Sequence, residues 1–247
     1  MQWLTLRKGA YCALHPRLWP QLADGVAPAI EHTIALQRFA FRTIVDVGAN
    51  RGQFAMLARA LFPEAAIFAF EPLSAPARLF RRHLDGDGRV HLFEAAIGET
   101  PGARTIFVAS KDDSSSLLRP TGAQTEIFGV EVARTDVIVV KRLADCLSAG
   151  QLHGPTLLKI DVQGAELDVL RGSADLLDRF DTIYVECSYL PLYEGQPLVP
   201  DVTRWMDRNG FELAGVYNQH VDPARGPVQA DFLFVRPAHG RRRGGDA

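Results

Sequence analysis

Residues 43–54 read TIVDVGANRGQF, and this stretch decides the architecture. Thr43 to Val47 is a β-branched and apolar run interrupted only by Asp46, short enough for a strand buried on both faces. Gly48 and Gly52 supply a turn, and from Gly52 onward the apolar residues of GQFAMLARALF recur at helical spacing. A strand with an acid at its end, a glycine turn and a helix is the unit from which parallel α/β sheets are built.

Working outward, AIFAF (66–70), RVHLFEAA (89–96), TLLKID (156–161) and TIYVEC (182–187) are further short apolar runs bounded by turn residues or charges. SAPARLFRRHL (74–84) and GAELDVLRGSADLLDRF (164–180) join GQFAMLARALF as helical patterns with arginines opposite the apolar side. The alternation predicts a doubly wound, mostly parallel α/β sheet with ligands beyond the carboxyl ends of its strands. Two strand-like segments, GARTIFVAS (102–110) and VEVARTDVIVVKRLADCL (130–147), flank the polar stretch KDDSSSLLRPTGAQTE and predict an antiparallel excursion. FELAGVYN (211–218) and ADFLFVRP (230–237), joined by the loop QHVDPARGPVQ, predict an antiparallel pair at one sheet edge. Residues 1–42 are expected to form a helical segment in which Ile30, Ile34 and Phe39 share one side, residues 43–237 the domain itself, and 238–247 a disordered tail.

At 247 residues and 47% hydrophobic composition the chain suffices for one large core. A net charge of -2, with acids and bases interspersed, offers no field of one sign to a nucleic-acid backbone or an anionic membrane. Cys12, Cys146 and Cys187 are far apart and form no CxxC pair, the pattern of reduced thiols. The N-terminal stretch lacks the apolar core of a signal peptide, and no apolar run has the length of a bilayer span. These features predict a soluble, cytoplasmic protein, and they leave a homodimer open.

The glycine corner narrows the ligand. A phosphate-binding P-loop requires GxxxxGK followed by Ser or Thr, and a dinucleotide site requires GxGxxG; here the middle glycine is absent. What remains is Asp46-x-Gly48-x-x-x-Gly52, followed one strand later by Glu71 at the end of AIFAF. Gly48 is expected to let the turn approach a ligand and Gly52 to let the helix pack on the strand. Asp46 supplies charge attractive to cations, and Glu71 suits two ribose hydroxyls. S-adenosylmethionine, with its ammonium, sulfonium and ribose, is such a ligand.

With these pieces assembled the chain resembles the FkbM-like family of methyltransferases that use S-adenosylmethionine. The matching stretches are VDVGANRGQFA (45–55), FAFEPLS (68–74), HLFEAAIGE (91–99), SSSLL (114–118), LLKIDVQGAELDVLRGS (157–173), VECSYLPLY (185–193) and DFLFVR (231–236). The resemblance implies a class I methyltransferase fold, a seven-stranded sheet with an antiparallel last pair. It also implies O-methylation of a sugar, glycolipid, glycan or polyketide-type hydroxyl. Cofactor contacts are then expected from Asp46, Gly48, Asn50, Gly52 and Phe54 of the corner, and from Glu71 and Pro72 after the second strand. Ala96, at the position from which this fold touches adenine, Ser115 and Asp161 complete that set. Many family members carry Glu where this chain has Gln163, which puts any charge-dependent role there in doubt.

For the chemistry, Asp161 is the prime candidate, as a general base or as ligand to a divalent cation such as magnesium that acidifies the hydroxyl. Lys159 lies on the same face of the strand, and Glu166 either faces the acceptor or favours the start of its helix. Glu186, at the end of TIYVEC, is the second candidate cation ligand. Asp161 also reads as a plain helix cap, and KDDSSSLLRP reads either as a segment crossing the cofactor or acceptor opening with its hydroxyls as hydrogen-bond partners or as a plain polar surface loop. Tyr189, Tyr193 and His220 are placed on loops near strand ends, where aromatic rings suit a sugar face. Two rival readings are a nicotinamide-dependent oxidoreductase and a non-catalytic protein that binds an adenosyl ligand.

Overall fold

The computed structural model describes residues 23–111 and 114–237. Cys12, most of the expected N-terminal segment, the two aspartates of KDDSSS and the tail lie outside the described residues. In chain order, a 3-10 turn (Ile30–His32) leads into α1 (Thr33–Leu36), β1 (Thr43–Val47), α2 (Gln53–Leu61), β2 (Ala66–Phe70), α3 (Ser74–Leu84) and β3 (Val90–Phe93). There follow β4 (Ala96–Ile97), β5 (Gly102–Ala109), α4 (Gly122–Phe128), β6 (Val132–Lys141), β7 (Thr156–Ile160), α5 (Glu166–Gly172), β8 (Thr182–Ser188), α6 (Val199–Arg208), β9 (Glu212–Asp222) and β10 (Gly226–Val235).

Seven strands form one sheet in the order β3-β2-β1-β7-β8-β10-β9, parallel except for β10, which runs antiparallel to both of its neighbours. The chain winds outward from β1 to β3, then returns to β7 on the other side of β1. That reversal opens a crevice above the carboxyl ends of β1 and β7, the place where open α/β sheets bind ligands. Both strands are buried at every residue because helices cover both faces. One face carries Ile44, Ile67, Leu157 and Leu233 against α2 and α3; the other carries Val45, Leu158, Ile183 and Phe232 against α5 and α6.

A second sheet, β4-β6-β5, stands beside the crevice and packs Ile106, Val108, Ile138 and Val140 around Leu73. It accounts for the expected excursion, with two differences. RVHLFEAA is not one strand: Val90–Phe93 pairs with β2, and Ala96–Ile97 pairs with β6 in the other sheet. VEVARTDVIVVKRLADCL stops pairing at Lys141 and turns into the 3-10 turn Leu143–Asp145.

Further departures have local causes. QHVDPARGPVQ is mostly hairpin rather than loop, because Asp222 accepts the N–H groups of Ala224 and Arg225 and closes a tight turn between β9 and β10. The polar stretch contains α4, whose Gln124 is buried against Tyr193, and α6 buries only Val202 and Met206; neither offers the broad apolar stripe that flags a helix. The 164–180 pattern is α-helical only to Gly172, where a Cβ would meet Gly98 O at 2.3 Å, and continues as a 3-10 turn. At the N-terminus, the change from 3-10 to α geometry rotates the buried side. Ala35 and Leu36 are buried, while Ile34 is 64% exposed instead of sharing a face with Ile30.

Candidate active site

The crevice holds a cavity of about 270 Å³ between the ends of β1 and β7, the second sheet and the 3-10 turn Ile30–His32. Of the corner residues, Gly48, Asn50 and Phe54 line it, as do Glu71, Pro72, Ala96, Ser115, Lys159 and Asp161. Asp46, Gly52, Glu166 and Glu186 are not on its wall.

Gly48 has φ +85°, and a Cβ there would lie 1.8 Å from Asp161 O. The glycine therefore lets the β1 turn press against the end of β7, and the same contact brings Asp161 to the crevice. Gly52, φ +92°, faces Phe80 and Leu84 of α3 at about 3 Å, so it admits a helix rather than the strand assigned to it from the sequence.

Asp46 stands behind the wall. It is fully buried, and Lys159 Nζ lies 3.2 Å from its Oδ1, 3.6 Å from Asp161 Oδ2 and 3.4 Å from Gly48 O, over the Phe54 ring. Burial pulls the Lys159 ammonium down, but Asp46 and Asp161 outweigh it and hold it above the usual lysine value. Burial also raises Asp46, against the attraction of Lys159. Asp46 thus spends its charge on Lys159 instead of on a ligand. Of the two carboxylates beside Lys159, the one that faces the cavity is Asp161, whose side chain is 36% exposed.

Glu71 is fixed by its own turn. Asn50 N–H donates to Oε2 at 3.0 Å and Leu73 N–H to Oε1 at 2.8 Å, which aims the carboxyl along the crevice with further lone pairs unused. Burial pushes it up to about 7, although both N–H groups favour the ionised form.

Gln163, left-handed at φ 58°, ties the acidic residues together. Its Nε2 donates to Asp161 Oδ1 and to Glu186 Oε2, each at 2.8 Å, while Tyr193 OH donates to its Oε1 at 3.0 Å. Glu186 receives a second amide from Gln229 at 2.8 Å, and burial raises it well above the usual carboxylate range. An amide N–H between two carboxylates ligates no cation, so Asp161 and Glu186 do not fit the metal pair considered from the sequence. Among the described residues no group of three His, Cys, Asp or Glu side chains is disposed to hold a metal.

Glu166 is off the cavity wall at the start of α5: its Oε1 accepts Gly164 N–H at 2.7 Å in the turn before the helix, and burial raises it to about 7. A carboxyl raised from 4.5 keeps in the folded state a proton that the unfolded chain releases, so it costs stability as pH rises through 4.5–7, up to about 3 kcal/mol. Glu166→Gln retains the oxygen acceptor without the charge. Thermal melts are expected to show the variant gaining on the wild type between pH 5 and pH 8, and a constant difference would refute this.

Ser115 and Ser116 are partly committed: Ser115 Oγ accepts Ala109 N–H, and Ser116 Oγ donates to Gln163 O at 2.5 Å. Tyr193 is a buried strut between Gln124, Ser114 and Gln163 rather than a sugar platform, and His220 lies within β9 against Phe128. Sequence reasoning passed over His32, which lines the cavity from the segment before β1. A polar residue in a short helical turn carries no spacing signal.

The sheet order, the crevice at the β1/β7 reversal and the acid after β2 define an α/β fold of the class I methyltransferase type. The model of the FkbM methyltransferase domain matches residues 46–213, and the chain belongs to that family of methyltransferases. It is 31% identical to the 2-O-methyltransferase NoeI of Sinorhizobium fredii, over 77% of this chain and 84% of that protein. It is also 31% identical to Methyltransferase 1 of Beauveria bassiana, over 58% of this chain and 63% of that protein, less than two thirds of its length. Among solved structures it overlays on magnesium protoporphyrin IX methyltransferase of Synechocystis PCC 6803 at TM-score 0.47 and 12% identity, covering 88% and 79% of the two chains. Among the described residues no helix is long and apolar enough to cross a membrane.

Proposed function

We propose that this protein is an O-methyltransferase that draws its methyl group from S-adenosylmethionine and passes it to a hydroxyl of a sugar, a glycan or glycolipid, or a polyketide-type metabolite. Residues 43–237 act as the methyltransferase domain. The observation that carries the reading is Glu71, held by two backbone N–H groups beside an apolar slot made by Leu73, Ile97, Ile106 and Ile138. A carboxylate next to an apolar slot suits a ribose diol attached to a purine, and it repels a phosphate. The resemblance to a 2-O-methyltransferase supports oxygen as the acceptor atom.

The donor fits the residues present. Glu71 would accept the ribose hydroxyls, Ala96 and the isoleucines would pack on the adenine, and Asp161 would face the cationic end. When bound, the donor supplies an electrophilic methyl on a sulfonium. The protein's part is positional: the acceptor oxygen must be held about 3 Å from that methyl, in line with the departing sulfur. Lys159 fixes Asp161 from behind, and Gln163 fixes it from the side. Asp161 thereby offers a rigid acceptor to the hydroxyl or the ammonium.

Calorimetry with S-adenosylmethionine, S-adenosylhomocysteine and NAD tests the reading; binding of NAD without the other two would reverse it. Because ribose hydroxyls donate to the ionised form of Glu71, affinity for S-adenosylhomocysteine is expected to rise about 10-fold from pH 6 to pH 8. Glu71→Gln should flatten that rise. Methyl transfer from labelled donor to a panel of methyl glycosides, extracted glycolipids and phenolic polyketides then separates the acceptor classes.

A further inference from the structure

We propose that His32 is the general base of the reaction, oriented by Asp231; this rests on the methyl-transfer reading above. His32 Nδ1 lies 3.2 Å from Asp231 Oδ2 and 3.0 Å from Tyr184 OH. Tyr184 OH itself donates to Asp231 Oδ2 at 3.0 Å, and Asn218 Nδ2 donates to the same oxygen at 2.7 Å while lying 3.1 Å from His32 Nδ1. The histidine ring is further held edge-on to Phe54 and to Tyr184. It is therefore clamped by β8, β9, β10 and α2 at once.

The clamp decides the tautomer. Burial would raise the Asp231 carboxyl, but the donors from His32, Asn218 and Tyr184 outweigh it and keep it below the usual value, hence ionised. Nδ1 faces the Asp231 carboxylate, the Tyr184 hydroxyl oxygen and the Asn218 amide nitrogen. The ionised carboxylate accepts only and outweighs the neutral amide, which already donates to Asp231, so the proton belongs on Nδ1. Nε2 is then the basic nitrogen, it has no hydrogen-bond partner among the described residues, and His32 stands on the cavity wall. Of the other charged groups, Asp46 interacts electrostatically with the ring and Lys159 with Asp231, while Glu31 lines the same cavity.

Asp161 is the poorer base, because Gln163 Nε2 occupies Oδ1 and the Lys159 ammonium faces Oδ2. In the step, the acceptor hydroxyl's proton passes to His32 Nε2 while an oxygen electron pair forms the new O–CH3 bond. The pair of the broken C–S bond stays on sulfur, leaving S-adenosylhomocysteine, and the histidinium loses its proton to water before the next turnover.

Two arms test this on the full chain. Nitrogen-15 spectra of histidine-labelled protein with S-adenosylhomocysteine at pH 8, assigned by loss of one signal in His32→Gln, should show His32 protonated on Nδ1; protonation on Nε2 overturns the proposal, with or without a known acceptor. For any acceptor from the panel, His32→Gln should lower kcat about 100-fold or more and remove the acidic limb of the pH–rate profile. Its affinity for S-adenosylhomocysteine should stay within about threefold of wild type. Asp231→Asn should lower kcat with the acidic limb retained but displaced. A His32→Gln enzyme with near wild-type kcat refutes the base and leaves the methyltransferase reading standing, whereas a wild-type chain that fails to bind S-adenosylhomocysteine refutes that reading instead.

Discussion

Lys159→Ala is expected to destabilise the fold by about 3–5 kcal/mol, because it strands a charge in the centre of the sheet. Asp46 is fully buried, and its Oδ2 has no hydrogen-bond partner among the described residues, so Lys159 is its compensation. Removing one member of a buried pair exposes the full desolvation cost of the other; removing both does not. Asp46→Asn combined with Lys159→Met should therefore recover most of the loss in urea unfolding. If Lys159→Ala unfolds at the wild-type midpoint, the pair is not what holds this corner. The same substitution frees Asp161 from its rear anchor, so donor binding should weaken along with stability.

Gly48→Ala is expected to cost about 4 kcal/mol or more, from two sources that act together. The residue would have to keep φ near +85°, and its Cβ would sit 1.8 Å from a backbone oxygen that has no rotamer to yield. Relief requires β1 and β7 to part, which carries Asp161 away from the cavity and breaks the Asp161 N–H bond to Val47 O. Gly86→Ala is the matched control, since a Cβ there meets nothing within 4 Å. Urea unfolding of both variants checks the contrast, and equal midpoints would show that the close approach of the two turns carries no energy.

Much of the site was legible because it is local. Strand ends are marked by apolar runs that stop on an acid, so Asp46, Glu71, Asp161 and Glu186 stood out, and alternation placed Lys159 on their face. The turn between β1 and α2 could be read from two glycines, whereas Asn50, Phe54 and Pro72 came only from the family resemblance. Alternation alone cannot tell a residue on the cavity wall from one behind it. Asp46 looked like a ligand partner, and only the reach of Lys159 from the neighbouring strand shows its charge to be spent.

The sequence by itself determined the parallel sheet, the glycine corner and the acids at its rim, because each rests on a period or spacing within a few residues. Tertiary structure alone decided how those acids are partnered. His32 meets Asp231 across 199 residues of chain, and Gln163 joins Asp161 to Glu186 from a left-handed turn. Such pairings depend on strand order and on side chains converging from different elements, and no period along the chain records them.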